Sequence, residues 1–104
     1  DILPSSGTGA ATAVLPGAGF AEKRGSMVNL KGRVQRLNRA TQPPGQARDD
    51  FEILSDLLRA LGVETPQTLD GVFKEMAASV PELRGLTLAS LGESGAPLAA
   101  PVAA

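Results

Sequence analysis

Cysteine and histidine are both missing from the 104 residues. Without a thiol, the chain can supply no disulfide, zinc knuckle, iron–sulfur ligand or thiol nucleophile. Without imidazole, it lacks the usual general base and the commonest metal ligand. Large aromatic side chains are scarce as well: three Phe, no Trp and no Tyr. Apolar residues still make up 42 % of the chain, much of it alanine, so the composition predicts a small core. A chain of this length makes one domain and buries about 60–70 % of the surface it exposes when unfolded. No apolar run approaches the roughly 18 residues of a membrane span. Residues 1–4, DILP, lack the basic region and apolar core of a signal peptide. An opening residue other than Met is what a fragment would show.

What is present is unevenly placed. The net charge is −1, but the stretch 22–39 has six basic residues (Lys23, Arg24, Lys31, Arg33, Arg36, Arg39) and one acid, whereas residues 48–104 have four basic and nine acidic ones. A balance of +5 beside −5 can mark a nucleic-acid surface. No aromatic residue interleaves the basic stretch to stack on bases. The preferred reading is that it meets an acidic surface, either the helical half of the chain or a neighbouring one.

Twelve Gly and eight Pro fall mostly outside helical patterns. Residues 1–19 hold two short apolar runs, Ile2-Leu3 and Ala13-Val14-Leu15. Each is expected to be a short buried strand stopped by Pro4 or Pro16. Gly7-Thr8-Gly9 and Gly17-Ala18-Gly19 fail as phosphate loops, because the third glycine of GxGxxG would fall at Thr12 or Glu22 and no GK[ST] exists. Residues 20–25 connect to a hairpin. Ser26 to Asn29 is the outgoing strand, Leu30-Lys31-Gly32 the turn and Arg33 to Leu37 the return. A three-residue loop needs a left-handed third residue, which Gly32 supplies, and this register sets Val28 opposite Val34. An isolated hairpin is marginal in water, so a third strand or a helix is expected against it.

Gln42-Pro43-Pro44-Gly45 breaks the chain. Asp49 is then placed to cap a helix, with Glu52 completing a capping box. Phe51, Leu54, Leu58 and Leu61, widened by Ile53 and Leu57, form one apolar stripe. This stripe is expected to be the main stabilising element, with Gly62 at the C-terminal cap. A second helix is expected from about Pro66 to Val80, capped by Thr65 and ended by Pro81. Thr87 to Leu91 could add one more turn before Gly92. The Ala/Pro composition of 95–104 reads as a disordered tail. The division is therefore 1–19 a residual strand and loop of a truncated sheet, 20–40 the hairpin connector, 41–94 the helical region and 95–104 the tail. The fold class is an α+β fragment, with short strands and a β-hairpin followed by two to three α-helices.

Candidate chemistry is weak. Glu22 and Lys23 are adjacent and would point to opposite faces of a strand. Asp49, Asp50 and Glu52 could hold a hard cation, but capping and the helix dipole already explain three carboxylates there. Asn29 suits a turn residue bonded to its own backbone. Arg33 and Arg36 could hold phosphate or dock onto a neighbouring domain.

In order and spacing, Ala13-Val14-Leu15-Pro16, Phe20-Ala21-Glu22-Lys23, Gly25-Ser26-Met27-Val28-Asn29, Gly32-Arg33-Val34-Gln35 and the run from Pro43 to Leu54 (PPGQARDDFEIL) resemble the molybdopterin oxidoreductase superfamily. Within it the resemblance is closest to the large iron–sulfur subunit of respiratory complex I, the G subunit of NADH-quinone oxidoreductases. Molybdenum- and tungsten-dependent formate dehydrogenases share the segment. Ser26-Met27 replaces the usual Thr-Phe, Lys31 stands where Glu is common and Phe51 where Trp is common. The resemblance implies a strand ending at Pro16 that closes a parallel α/β sheet, a hairpin crossing to a cluster-bearing domain, and a helix from Asp49 returning to the α/β layer. Its structural or interface residues would be Glu22, Gly25, Asn29, Gly32, Arg33, Gln35 and Arg48, with no catalytic, cofactor or metal residue in the segment. The implied role is non-catalytic scaffolding in a C-terminal segment of a G-like subunit that supports electron transfer from NADH to quinone. The alternatives are a fragment of a formate dehydrogenase-like oxidoreductase and a small binding module built on the basic hairpin. The parent would carry iron–sulfur clusters, and the complex would use NAD. Implied partners are the remainder of the subunit and other peripheral-arm subunits, without nucleic acid or membrane insertion. The implied location is the cytoplasmic side of the bacterial inner membrane.

Overall fold

Gly32 turns the chain as its position demands. Its φ of +71° is left-handed, a region open to glycine and strained for residues with a Cβ. Its N–H donates to the Asn29 carbonyl at 3.0 Å, and the Asn29 N–H donates to the Arg33 carbonyl at 2.9 Å. These bonds close a three-residue loop between β1 (Gly25–Val28) and β2 (Arg33–Leu37). The strands pair antiparallel with Val28 opposite Val34, the register that loop length and turn chemistry predict. The structure, a computed structural model, describes residues 3–99.

The third strand comes from the far end of the chain. β3 (Ala96–Pro97) pairs antiparallel with β2, giving the order β1-β2-β3. Pro97 is tolerated because β3 is an edge strand. Beyond it the Leu98 N–H donates to Gly32 O at 2.9 Å and the Ala99 N–H to Glu82 O at 3.0 Å. Residues 95–99 were expected to begin a disordered tail, and instead they clamp the hairpin. Alanine and proline carry no periodic signal, so pairing across more than sixty residues cannot be read locally. Residues 100–104 of the expected tail, and Ile2 of the first expected strand, lie outside the described residues.

Two helices follow the hairpin. α2 (Asp50–Ala60) is capped by the Asp49 side chain, which accepts from the Phe51 N–H at 3.1 Å. Glu52 does not complete a capping box; its carboxylate lies 3.6 Å from Arg48 Nε. At the other end Gly62 has φ +78°. Its N–H donates to Arg59 O and the Val63 N–H to Leu58 O, the paired bonds of a Schellman cap. α3 (Leu69–Ser79) starts three residues later than the sequence suggests, with Thr68 rather than Thr65 accepting from the Gly71 N–H at 3.1 Å. Pro66 stays outside the helix and lies over it. A Cβ on Gly71 would meet Pro66 Cβ at 2.8 Å, which accounts for a glycine in a helical first turn. Two 3₁₀ turns, Pro81–Leu83 and Ala89–Leu91, complete the elements.

The core forms where the leucine stripe does not. Val34, Phe73, Leu83, Leu88 and Leu91 are buried against one another, with Leu69, Ala77, Leu86, Ala96 and Leu98 packed around them. It thus joins β2, α3 and the two 3₁₀ turns. α2 has no buried residue, and Leu54, Leu57 and Leu61 are 57 %, 48 % and 71 % exposed. Helical periodicity shows that a face is apolar, not that it has a partner. The expectation that this stripe stabilises the chain is therefore overturned among the described residues. The expected strand at 13–15 also fails: no strand forms there, and Val14 and Leu15 are exposed. A single parallel bridge, Gly17 to Arg48, marks the end of that run. A short helix not foreseen, α1 (Ser6–Ala10), precedes it and buries nothing.

Candidate functional site

The polar side chains gather where the connector before β1 meets the first turn of α2. Asp49 is at the centre, only 1 % exposed. One carboxylate oxygen caps α2 through Phe51 N. The other accepts the Arg24 backbone N–H at 2.9 Å and lies 3.6 Å from Arg39 Nη2. Next to it Lys23 Nζ pairs with Asp50 Oδ2 at 2.5 Å. Part of the basic stretch therefore meets the acidic start of the helical half, one of the two surfaces its charge pointed to. Asp49 was legible as a cap. Its tie to Arg24 was not, because capping spacing is local and this contact crosses 25 positions. The complementary charges of 23–39 and 49–56 were the available signal.

A second set of contacts holds the other side of α2. The Arg48 N–H donates to Pro16 O at 3.1 Å, and the Arg48 carbonyl accepts from Ala18 N at 2.8 Å. Its guanidinium bonds Asp56 at 2.7 Å, and Asp56 also accepts from Arg59 at 3.0 Å. The hydrogen bond from Arg48 holds the Asp56 carboxyl below its ordinary value of 3.8; desolvation opposes it, and the positive charges of Arg48 and Arg59 add smaller downward effects. The same hydrogen bond and charge raise the Arg48 guanidinium. With the folded carboxyl depressed, the pair's contribution is present above the unfolded value and is lost as pH falls through the folded one. In urea unfolding, Asp56→Asn is thus expected to lower the midpoint slightly at pH 7. That gap should close as the pH drops below the ordinary carboxylate range and shrink in high salt, since both partners are partly exposed.

The remaining motif residues hold local geometry. Glu22 Oε2 accepts from Gly19 N at 2.8 Å, and the Glu22 N–H donates to Gly19 O at 3.0 Å. Asn29 Oδ1 accepts from the Lys31 and Arg33 N–H groups, each at 3.0 Å, and its amide nitrogen donates to Gln35 Oε1 at 3.2 Å. Arg33 reaches across to the chain end: Nε donates to Ser94 O at 2.6 Å and Nη2 to Gly95 O at 3.1 Å. Gly25 opens β1 opposite Leu37. The seven motif residues do not converge on one cavity. Glu22 belongs to the connector, Gly25 to the start of β1, Arg48 to the seam along α2, and Asn29, Gly32, Arg33 and Gln35 to the hairpin end. Asp49, Asp50 and Glu52 are drawn to different cations, and no group of three or more carboxylates is arranged to hold a metal among the described residues. The arrangement ties the connector before the hairpin to the first turn of α2.

Comparison with known proteins gives this brace a context. The family model described as molybdopterin oxidoreductase matches residues 2–60. The F420-dependent formate dehydrogenase 1 subunit alpha of Methanococcus maripaludis is 36 % identical over 98 residues, which cover 91 % of this chain and 14 % of that protein. The second G-type subunit of NADH-quinone oxidoreductase in Rhizobium meliloti is also 36 % identical over 98 residues, covering 92 % of this chain and 11 % of that one. The mitochondrial NADH-ubiquinone oxidoreductase 78 kDa subunit of Neurospora crassa is 51 % identical over 53 residues, covering 51 % of this chain and 7 % of its own length. The chain spans no more than about a seventh of the length of these relatives.

Proposed function

Because the chain belongs to the molybdopterin oxidoreductase family, we propose that it is a non-catalytic bracing segment of a longer oxidoreductase polypeptide, and specifically of a G-like subunit of an NADH-quinone oxidoreductase. The observation that carries this reading is the use made of its polar side chains. Asp49 ties the connector to α2 and Arg33 ties the hairpin to residues 94–95, while Asn29, Glu22 and Arg48 are engaged in local geometry. No cysteine is present to ligate a cluster, so iron–sulfur clusters of the parent would be held by residues elsewhere, and NAD would bind in another part of the complex. The family also implies a pterin cofactor; of the two arginines that could hold its tail, Arg33 is already tied to the Ser94 and Gly95 carbonyls, and Arg36 alone is left without a partner among the described residues. The one buried side-chain donor without a partner among the described residues is Arg39 Nε. It belongs to a guanidinium already beside the Asp49 carboxylate, a poor neighbour for an anionic group.

The parent's other domains and the neighbouring peripheral-arm subunits would be its partners. No described helix is long and apolar enough to cross a membrane. In this reading the segment sits on the cytoplasmic side of the inner membrane without entering it, and binds no nucleic acid. The second reading, a segment of a formate dehydrogenase-like enzyme, has the F420-dependent formate dehydrogenase alpha subunits in its favour: three of them are 34–36 % identical across 98 residues. The full-length polypeptide separates the two. It is expected to purify without tightly bound molybdenum or tungsten and to track with NADH:quinone activity in membranes. Stoichiometric metal together with formate oxidation would establish the second reading and sink the first.

A further inference from the structure

The basic stretch is only partly neutralised from within. Lys23 and Arg39 have carboxylate partners and Arg33 is tied to two carbonyls. Arg24, Lys31 and Arg36 form no ion pair among the described residues. Two of these three come together. Ser26 is the cross-strand partner of Arg36 and Val28 of Val34, so these four residues share one face of the hairpin. Val34 is the buried member of that face. Arg36 therefore lies on the core side of the hairpin, past the edge of the core. Together with Arg24, the residue just before β1, it lines a cavity of about 290 Å³ with Phe51, Leu88 and residues leading into and starting α3 (Gln67, Thr68, Leu69, Asp70).

We propose that this cavity receives a carboxylate side chain from an acidic polypeptide segment outside these 104 residues, within the same parent chain. Two guanidinium groups lining one cavity suit a carboxylate, because arginine forks bind carboxylates through paired hydrogen bonds. Both arginines have fixed roots. The Arg24 N–H is held by buried Asp49, and Arg36 sits in the ladder opposite Ser26. Asp70, the one acid in the lining, makes no ion pair with either arginine. The charge of the cavity is left for an outside group.

This inference rests on the reading of the chain as part of a longer polypeptide, and the two can fail separately. The full-length protein carrying Arg36→Lys is treated with a carbodiimide, which joins an amine to a carboxylate in direct contact, and the linked peptides are identified by mass spectrometry. The link between Lys23 and Asp50 is the built-in positive control. The expected result is a second link from position 36 to an Asp or Glu outside this segment, lost when Arg24→Glu is added while the Lys23–Asp50 link persists. A link from position 36 to Asp70 alone, a link to another subunit, or no link while the control forms would each overturn the proposal. The metal content of the same preparation tests the functional reading, whichever way the cross-link falls.

Discussion

Asp49→Ala is expected to destabilise the chain by about 2–4 kcal/mol, well beyond the loss of a helix cap. The cap alone accounts for about 1 kcal/mol. The rest comes from what the side chain does across the fold. Asp49 is buried, and its second oxygen is the acceptor for the Arg24 N–H. Alanine would leave that N–H without its partner in a closed site, at a cost of about 1–3 kcal/mol. It would also leave the Arg39 guanidinium, 3.6 Å away, beside no counter-charge. Two comparison variants separate these contributions in urea unfolding. Thr68→Ala removes the cap of α3, whose side chain bonds only Gly71 N, and should cost about 1 kcal/mol. Asp49→Asn keeps a good cap but replaces a carboxylate with an amide, which can satisfy Phe51 and Arg24 together only with one oxygen. It should fall between the other two. If Asp49→Ala is no worse than Thr68→Ala, the tie between connector and helix contributes nothing.

That tie marks the boundary of what the sequence reveals. Features fixed within a few residues are legible. Gly32 dictates a left-handed turn and with it the pairing of Val28 with Val34. Asp49 and Gly62 announce the ends of α2 because caps are local chemistry. What covers each face is a separate question, settled by contacts far apart in the chain. The leucines of α2 share a face by spacing, yet the buried residues are Phe73, Leu83, Leu88 and Leu91 on later elements. Val14 and Leu15 read as a buried strand for the same reason and are exposed. Both faulty expectations concern apolar surfaces whose cover is absent from the described residues. The candidate site divides along the same line. Asn29 bonding its own turn was readable, whereas Arg33 reaching Ser94 and Gly95 was not.

The segment that composition dismissed should respond as sharply as Asp49. Gly95→Ala is expected to cost about 2–4 kcal/mol, although it adds one methyl group near a chain end. Gly95 has φ +71°, and a left-handed residue with a Cβ costs about 1–2 kcal/mol. Unlike the other left-handed glycines, it also has no room. A Cβ built there overlaps the Val34 carbonyl oxygen and falls 2.9 Å from Gln35 Cγ. Gln35 can move aside; the carbonyl cannot, because Val34 is a buried residue of the central strand. Relief requires β3 to leave β2, or β2 to shift in the core, and forced shifts of that kind cost about 1–3 kcal/mol. Lifting β3 would also carry the Arg33 bonds to Ser94 and Gly95 and the Leu98 and Ala99 backbone bonds with it. Gly62→Ala is the matched control. Its φ is +78° with nothing within 4 Å of the added Cβ, so it should show the left-handed penalty alone. Amide exchange at Leu98 and Ala99 should accelerate in Gly95→Ala and not in Gly62→Ala. Equal effects of the two would mean that β3 is not packed against β2 in solution, and that the hairpin is held by something other than the chain's own end.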